Sequence, residues 1–126
     1  MKKLIQSSNA PKAVGPYSQA VEINGTLYVS GQIPIDPATG QLVQGSIAEQ
    51  TEQVFRNIAT ILTEAGYTFA DVMKTTVLLK DMGDFAAMNE VYGRHYPAQQ
   101  PARSAFQVAK LPLDAMVEIE TIAMKS

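Results

Sequence analysis

Asn24-Gly25 stands between Ala20-Val21-Glu22-Ile23 and Thr26-Leu27-Tyr28-Val29, two runs of alternating or β-branched residues. Asn-Gly accepts the positive φ angles of a two-residue turn, whose twist matches that of the strands it joins. Residues 20–29 are therefore a β-hairpin, and the rest of the chain has to build on a sheet. With 126 residues there is material for one core, so a single domain over residues 1–126 is expected.

Gly31, Pro34, Pro37 and Gly40 interrupt regular structure, and a loop is expected to about Gly45. Ser46 followed by Glu49 forms a capping box, after which Val54, Phe55, Ile58, Ile61, Leu62 and Ala65 recur at helical spacing up to a Gly66 stop. Asp71 to Lys80 is β-branched and short, which predicts a strand. Asp84 is the candidate cap of a second helix with an apolar stripe through Phe85, Met88, Val91 or Tyr92, and His95 or Tyr96, ending before Pro97. Strands are expected near Arg103 to Ala109 and Met116 to Met124.

The order strand, strand, helix, strand, helix, strand, strand predicts an α+β fold, a single sheet with two helices packed on one face. Val, Leu and Met occur at both parities of several strands, so the uncovered face is expected to be partly apolar and hidden by self-association.

Composition narrows the function classes. Ten basic against twelve acidic residues give a net charge of −2 with no basic run, which disfavours a nucleic-acid partner. The first eight residues turn polar after Leu4-Ile5, and no later run reaches membrane-spanning length, so a cytoplasmic protein without a membrane partner is expected. With no cysteine, thiol nucleophiles and thiolate metal sites are excluded. No ligand set points to a metal and no Gly-rich phosphate loop to a nucleotide, so no cofactor is expected.

Arg103, in Pro101-Ala102-Arg103-Ser104 at the head of a strand, presents a permanently charged planar fork of donors. From spacing alone it is either an anchor for a carboxylate or a surface arginine paired with an acid. Glu118 and Glu120 lie two apart on one strand and share a face, so spacing does not separate them, and either could pair with a lysine. Ser30-Gly31 is expected just after the second hairpin strand, where glycine lets backbone approach a ligand. With the single histidine, His95, on the apolar side of the second helix, Ser30 has no base to make it a nucleophile.

Gly15-Pro16-Tyr17-Ser18-Gln19-Ala20, Ser30-Gly31-Gln32-Ile33-Pro34, Lys74-Thr75-Thr76-Val77, Phe85 with Asn89 and Tyr92, Pro101-Ala102-Arg103-Ser104 and Val117-Glu118-Ile119-Glu120 occur in order along the chain. Together they closely resemble the Rid (YjgF) family, its reactive intermediate deaminase A branch in particular. The resemblance implies a chorismate-mutase-like fold, a homotrimer with ligand clefts between subunits, and hydrolysis of 2-iminopropanoate and 2-iminobutanoate to 2-keto acids and ammonia.

It also implies roles. Arg103 matches the family's carboxylate-binding arginine, and Glu118 the acid that handles water and proton transfer. Tyr17, Ser30, Gly31 and Asn89 match pocket residues. Ala105 stands where the family usually carries cysteine or threonine, a departure without consequence if that position offers only its backbone carbonyl. A carboxylate-binding regulatory or chaperone-like trimer and an endoribonuclease or translation inhibitor are the alternative readings.

Overall fold

The computed structural model describes residues Met1–Ser126. In chain order its elements are β1 (Lys3–Ile5), β2 (Ala20–Ile23), β3 (Thr26–Gln32), β4 (Ile35–Asp36), β5 (Gln41–Leu42), α1 (Ile47–Ala65), β6 (Val72–Leu79), α2 (Phe85–His95), β7 (Ala102–Gln107) and β8 (Val117–Met124). Six strands form one sheet in the order β1-β2-β3-β8-β6-β7. Only β6 and β7 run parallel, the chain between them crossing over through α2. Both helices cover one face of this mixed sheet, as expected.

The hairpin is built as its sequence requires. Asn24 and Gly25 hold φ of 49° and 77°, and Ala20↔Val29 through Ile23↔Thr26 pair in register. In α1 the Ser46 hydroxyl accepts from the Glu49 N–H at 3.2 Å while the Glu49 carboxylate accepts from the Ser46 N–H at 3.1 Å, and Gly66 closes the helix at φ 83°. The inward stripe Val54, Phe55, Ile58, Ile61 and Leu62 is inaccessible to solvent and meets Leu27, Val77, Val117 and Ile119 from the sheet.

Met88, Val91 and Tyr92 bury the inner side of α2. His95 stacks on the Phe55 ring, centroids 4.3 Å apart, with Nε2 3.4 Å from Glu52 Oε2. It is part of the aromatic packing between the helices.

Four expectations need correction. Asp84 makes no capping bond: Asp81 accepts from the Gly83 N–H at 2.7 Å and caps the single 3₁₀ turn ahead of α2. The segment 31–45 is not all loop, because Ile35↔Leu42 and Asp36↔Gln41 pair as a small second sheet. Lys3–Ile5 is an additional edge strand, antiparallel to β2. Ser30-Gly31 lies inside β3 rather than after it: Val29 pairs with Thr121 and Gln32 with Ile119, so two residues face the single Glu120 as a β-bulge.

The face without helices is apolar in part, as the strand parities predict. Leu4, Ile23, Tyr28, Phe106 and Met124 project from it, 38% to 60% exposed. No helix is long and apolar enough to cross a membrane.

Candidate active site

The residues singled out from sequence fall into two groups. Tyr17, Ser30, Gly31 and Glu118, together with Glu120, line one open cavity of about 820 Å³. Arg103, Asn89 and Ala105 are not among its walls.

Strand register explains the division. Arg103 pairs with Thr75, whose hydroxyl is buried 2.6 Å from the Tyr92 hydroxyl of α2, so Arg103 is on the helix-covered face. Ala105 pairs with Val77 on that same face. Glu118 pairs with Leu78 and Glu120 with Thr76, one residue out of phase with Thr75 and Val77, so both carboxylates stand on the open face. Within one chain the guanidinium and Glu118 are on opposite sides of the sheet.

In the cavity, the β3 bulge brings Gly31 beneath the Glu118 side chain. A Cβ on Gly31 would stand 2.9 Å from the carboxylate carbon and 3.1 Å from Cγ, so any other residue would displace it. Burial, and then the negative charge of Glu120, push the Glu118 carboxyl above the ordinary carboxylate range. Replacing Gly31 with alanine is accordingly expected to leave the fold intact, as judged by circular dichroism, and to reduce turnover sharply by turning Glu118 aside. Full turnover in that variant would mean that the observed Glu118 position is not the working one.

Ser30 donates its hydroxyl to the Ser18 carbonyl at 2.6 Å, and its N–H to the Gln19 carbonyl at 3.0 Å. It ties β3 to the segment carrying Tyr17, and its proton is committed to backbone. Tyr17 is 52% exposed at the cavity rim, after a turn in which Gly15 takes φ 117°. Gln19 was not among the sequence candidates. It is buried, accepts from the Ser7 N–H at 2.7 Å, and donates to the Ser7 and Pro11 carbonyls at 3.1 and 2.8 Å, which fixes the strand of chain leading to Tyr17. Its place beside Tyr17 in the Gly-Pro-Tyr-Ser-Gln-Ala run was the available signal.

On the helix side, Arg103 Nη1 donates to Asn89 Oδ1 at 2.7 Å. The guanidinium carbon lies 4.7 Å from the Tyr92 ring centroid and 5.4 Å from that of Phe85. One N–H is thus engaged and the guanidinium lies against two aromatic rings, which orients the fork while leaving other donors for an anion. No group of three or more His, Asp or Glu side chains is arranged to hold a metal.

Residues 7–125 match the family model described as Endoribonuclease L-PSP. A protein of the conserved Rid family from Yersinia pestis superimposes with a TM-score of 0.96 at 45% identity, covering 99% of this chain and 100% of that one. The chain belongs to the Rid family. The 2-iminobutanoate/2-iminopropanoate deaminase of Mus musculus is 49% identical over 125 residues, 99% of this chain and 93% of the relative. The crystal structure of E. coli TdcF with bound serine matches with a TM-score of 0.92 at 40% identity, covering 98% of this Rid chain and 99% of the other.

Proposed function

We propose that the protein is a cytoplasmic homotrimer of chorismate-mutase-like form that hydrolyses 2-iminopropanoate and 2-iminobutanoate to pyruvate and 2-oxobutanoate, in clefts between subunits and without a cofactor. The observation that carries the reading is the placement of Arg103 and Glu118 on opposite faces of one sheet. A substrate touching both needs Arg103 from one chain and Glu118 from another. The mouse relative's name supports the reaction, and the serine held by the E. coli relative supports a site for a small amino-carboxylate.

In this reading Arg103 holds the substrate carboxylate through two parallel N–H bonds, oriented by Asn89 and the Tyr92 ring. Clamping fixes the imine carbon in the cavity over Gly31. Glu118 accepts a proton from water as the water oxygen bonds to that carbon and the C=N electron pair moves to nitrogen. That proton passes to nitrogen, giving an amino alcohol at this carbon. The hydroxyl proton then follows it to nitrogen by way of Glu118 as the C–N bond breaks, so that ammonia leaves and the oxygen becomes the keto oxygen. One water is consumed and one ammonia released. Ala105 offers no side-chain donor, so any part it takes is through its backbone.

The family description names an endoribonuclease. A net charge of −2 and a cavity holding two carboxylates oppose a polyanion at this site.

The test is a coupled assay in which a threonine dehydratase releases the imine and semicarbazide traps it. Added protein is expected to lower semicarbazone formation in proportion to its concentration. Unchanged trapping would refute the reaction. Light scattering should give the mass of a trimer, and Ile122→Asp, which puts a charge between Tyr28 and Lys74 on the open face, should yield a folded monomer without activity. An active monomer would contradict the shared cleft.

A further inference from the structure

Leu113 and Asp114 are consecutive residues in the left-handed region, with φ of 56° and 58°. That region is disfavoured for any L-residue and is a marked outlier for a bulky aliphatic one. The turn is held from both ends. Leu111 and Ala115 are buried, the Asp114 N–H donates to the Leu111 carbonyl at 3.1 Å, and the Ala115 N–H to that of Pro112 at 3.1 Å.

Asp114 has compensation, since short polar residues tolerate this conformation and its carboxylate meets Lys80 Nζ at 3.0 Å. Leu113 has none within the chain. Its side chain is 64% exposed, and glycine or asparagine would suit the turn better. A bulky apolar residue kept exposed on a strained turn that the packing holds in place points to a use outside the protomer.

Leu113 lines the same cavity as Gly31 and Glu118, whose apolar walls also include Pro112, Ile33 and Ile35. A 2-imino acid presents three groups there: a carboxylate, which Arg103 takes, an imine, which faces the water at Glu118, and an alkyl chain with no partner yet assigned. We infer that Leu113 is the wall against which that alkyl chain packs, making it a residue that sets the preference for longer over shorter imines. The inference rests on the deaminase reading.

It is tested by generating 2-iminopropanoate, 2-iminobutanoate and 2-iminopentanoate in situ with a D-amino-acid oxidase and catalase, from D-alanine, D-2-aminobutanoate and D-norvaline. Semicarbazide trapping then gives kcat/KM for the parent, Leu113→Ala and Leu113→Gly. The ratio for the longest over the shortest imine is expected to fall by roughly 3- to 10-fold in both variants, one wall of a pocket contributing the lower end of what methylene recognition provides. Leu113→Gly, relieved of its strain, should melt no lower than the parent, so the loss of preference cannot be assigned to a weakened fold.

A ratio within about twofold of the parent's in both variants overturns the inference while the deaminase reading stands. Loss of the trimer mass also overturns it, by assigning Leu113 to the contact between subunits. A parent inactive on all three imines removes the deaminase reading, and this inference with it.

Discussion

Arg103→Ala loses imine hydrolysis by about 10²- to 10³-fold in kcat/KM, the usual cost of removing one partner from a desolvated charge pair. The structure gives two reasons to expect the fold to survive. Arg103 is on an edge strand, paired on one side only, and it anchors no buried acid. What it leaves behind is an Asn89 amide without its donor and the rings of Tyr92 and Phe85 without a cation above them. Affinity for the unreactive product pyruvate should fall together with turnover, because both carry the carboxylate. Arg103→Lys keeps the charge but not the fork, so it should recover only a small part of the loss. Pyruvate titration by calorimetry, with light scattering to check assembly, separates this from misfolding. Near-normal turnover in the alanine variant would discard the anchor.

Glu118→Gln is the second large effect. Glutamine keeps the size and part of the hydrogen bonding but cannot take a proton from water, so turnover should fall about 10²- to 10⁴-fold while pyruvate affinity is kept. Its neighbour is the internal control. Glu120 shares the face and the cavity, but its side chain is more exposed and does not lie over Gly31. Glu120→Gln should therefore retain most of the activity. It should also move the acid limb of the pH profile to lower pH, because it removes the negative charge that helps hold the Glu118 proton.

Stability gives an independent reading of the same carboxyl. Its pKa is raised in the folded chain, so its contribution to stability is present below the unfolded carboxylate pKa and is lost as pH rises through the folded value. Glu118→Gln should thus melt higher than the parent at neutral pH and not at pH well below the carboxylate range. A variant that is more stable and inactive places the carboxylate in function. If Glu120→Gln is the inactive one, the two roles are exchanged.

Local chemistry makes much of this architecture readable in the sequence. Asn24-Gly25, the Ser46/Glu49 capping box and Gly66 each dictate a backbone conformation within a few residues, and each is found as read. Strand parity within β8 put Glu118 and Glu120 together, and the structure keeps them together. The shorter elements were not legible: Lys3–Ile5 and the pair Ile35–Asp36 with Gln41–Leu42 have too few residues for a period and exist through what they dock against. Asp81 and Asp84 are equivalent as letters, and only the 3₁₀ turn between them selects the first as a cap.

The division of the candidate site was hidden for a deeper reason. Parity along a strand is local, but whether Arg103 of β7 and Glu118 of β8 share a face depends on how each is registered against β6, which lies between them. A shift of one residue in either register would reverse the answer. The bulge at Ser30-Gly31, which sets Gly31 under Glu118, is likewise a property of the β3–β8 pairing.

If Arg103 and Glu118 act on one substrate from two different chains, two variants that are each inactive should restore activity when mixed. Arg103→Ala subunits carry an intact Glu118, and Glu118→Gln subunits an intact Arg103. When equal amounts are unfolded together and refolded, a cleft is complete when its Arg103 comes from the second variant and its Glu118 from the first. Each condition holds for half the subunits, so half of a half, or about a quarter, of the clefts in a closed ring should be wild type. Recovery of about a quarter of the parent's imine hydrolysis is the predicted result, against almost none from either variant refolded alone. A mixture as inactive as its components, with trimers formed, would mean that Arg103 and Glu118 do not meet across a subunit boundary.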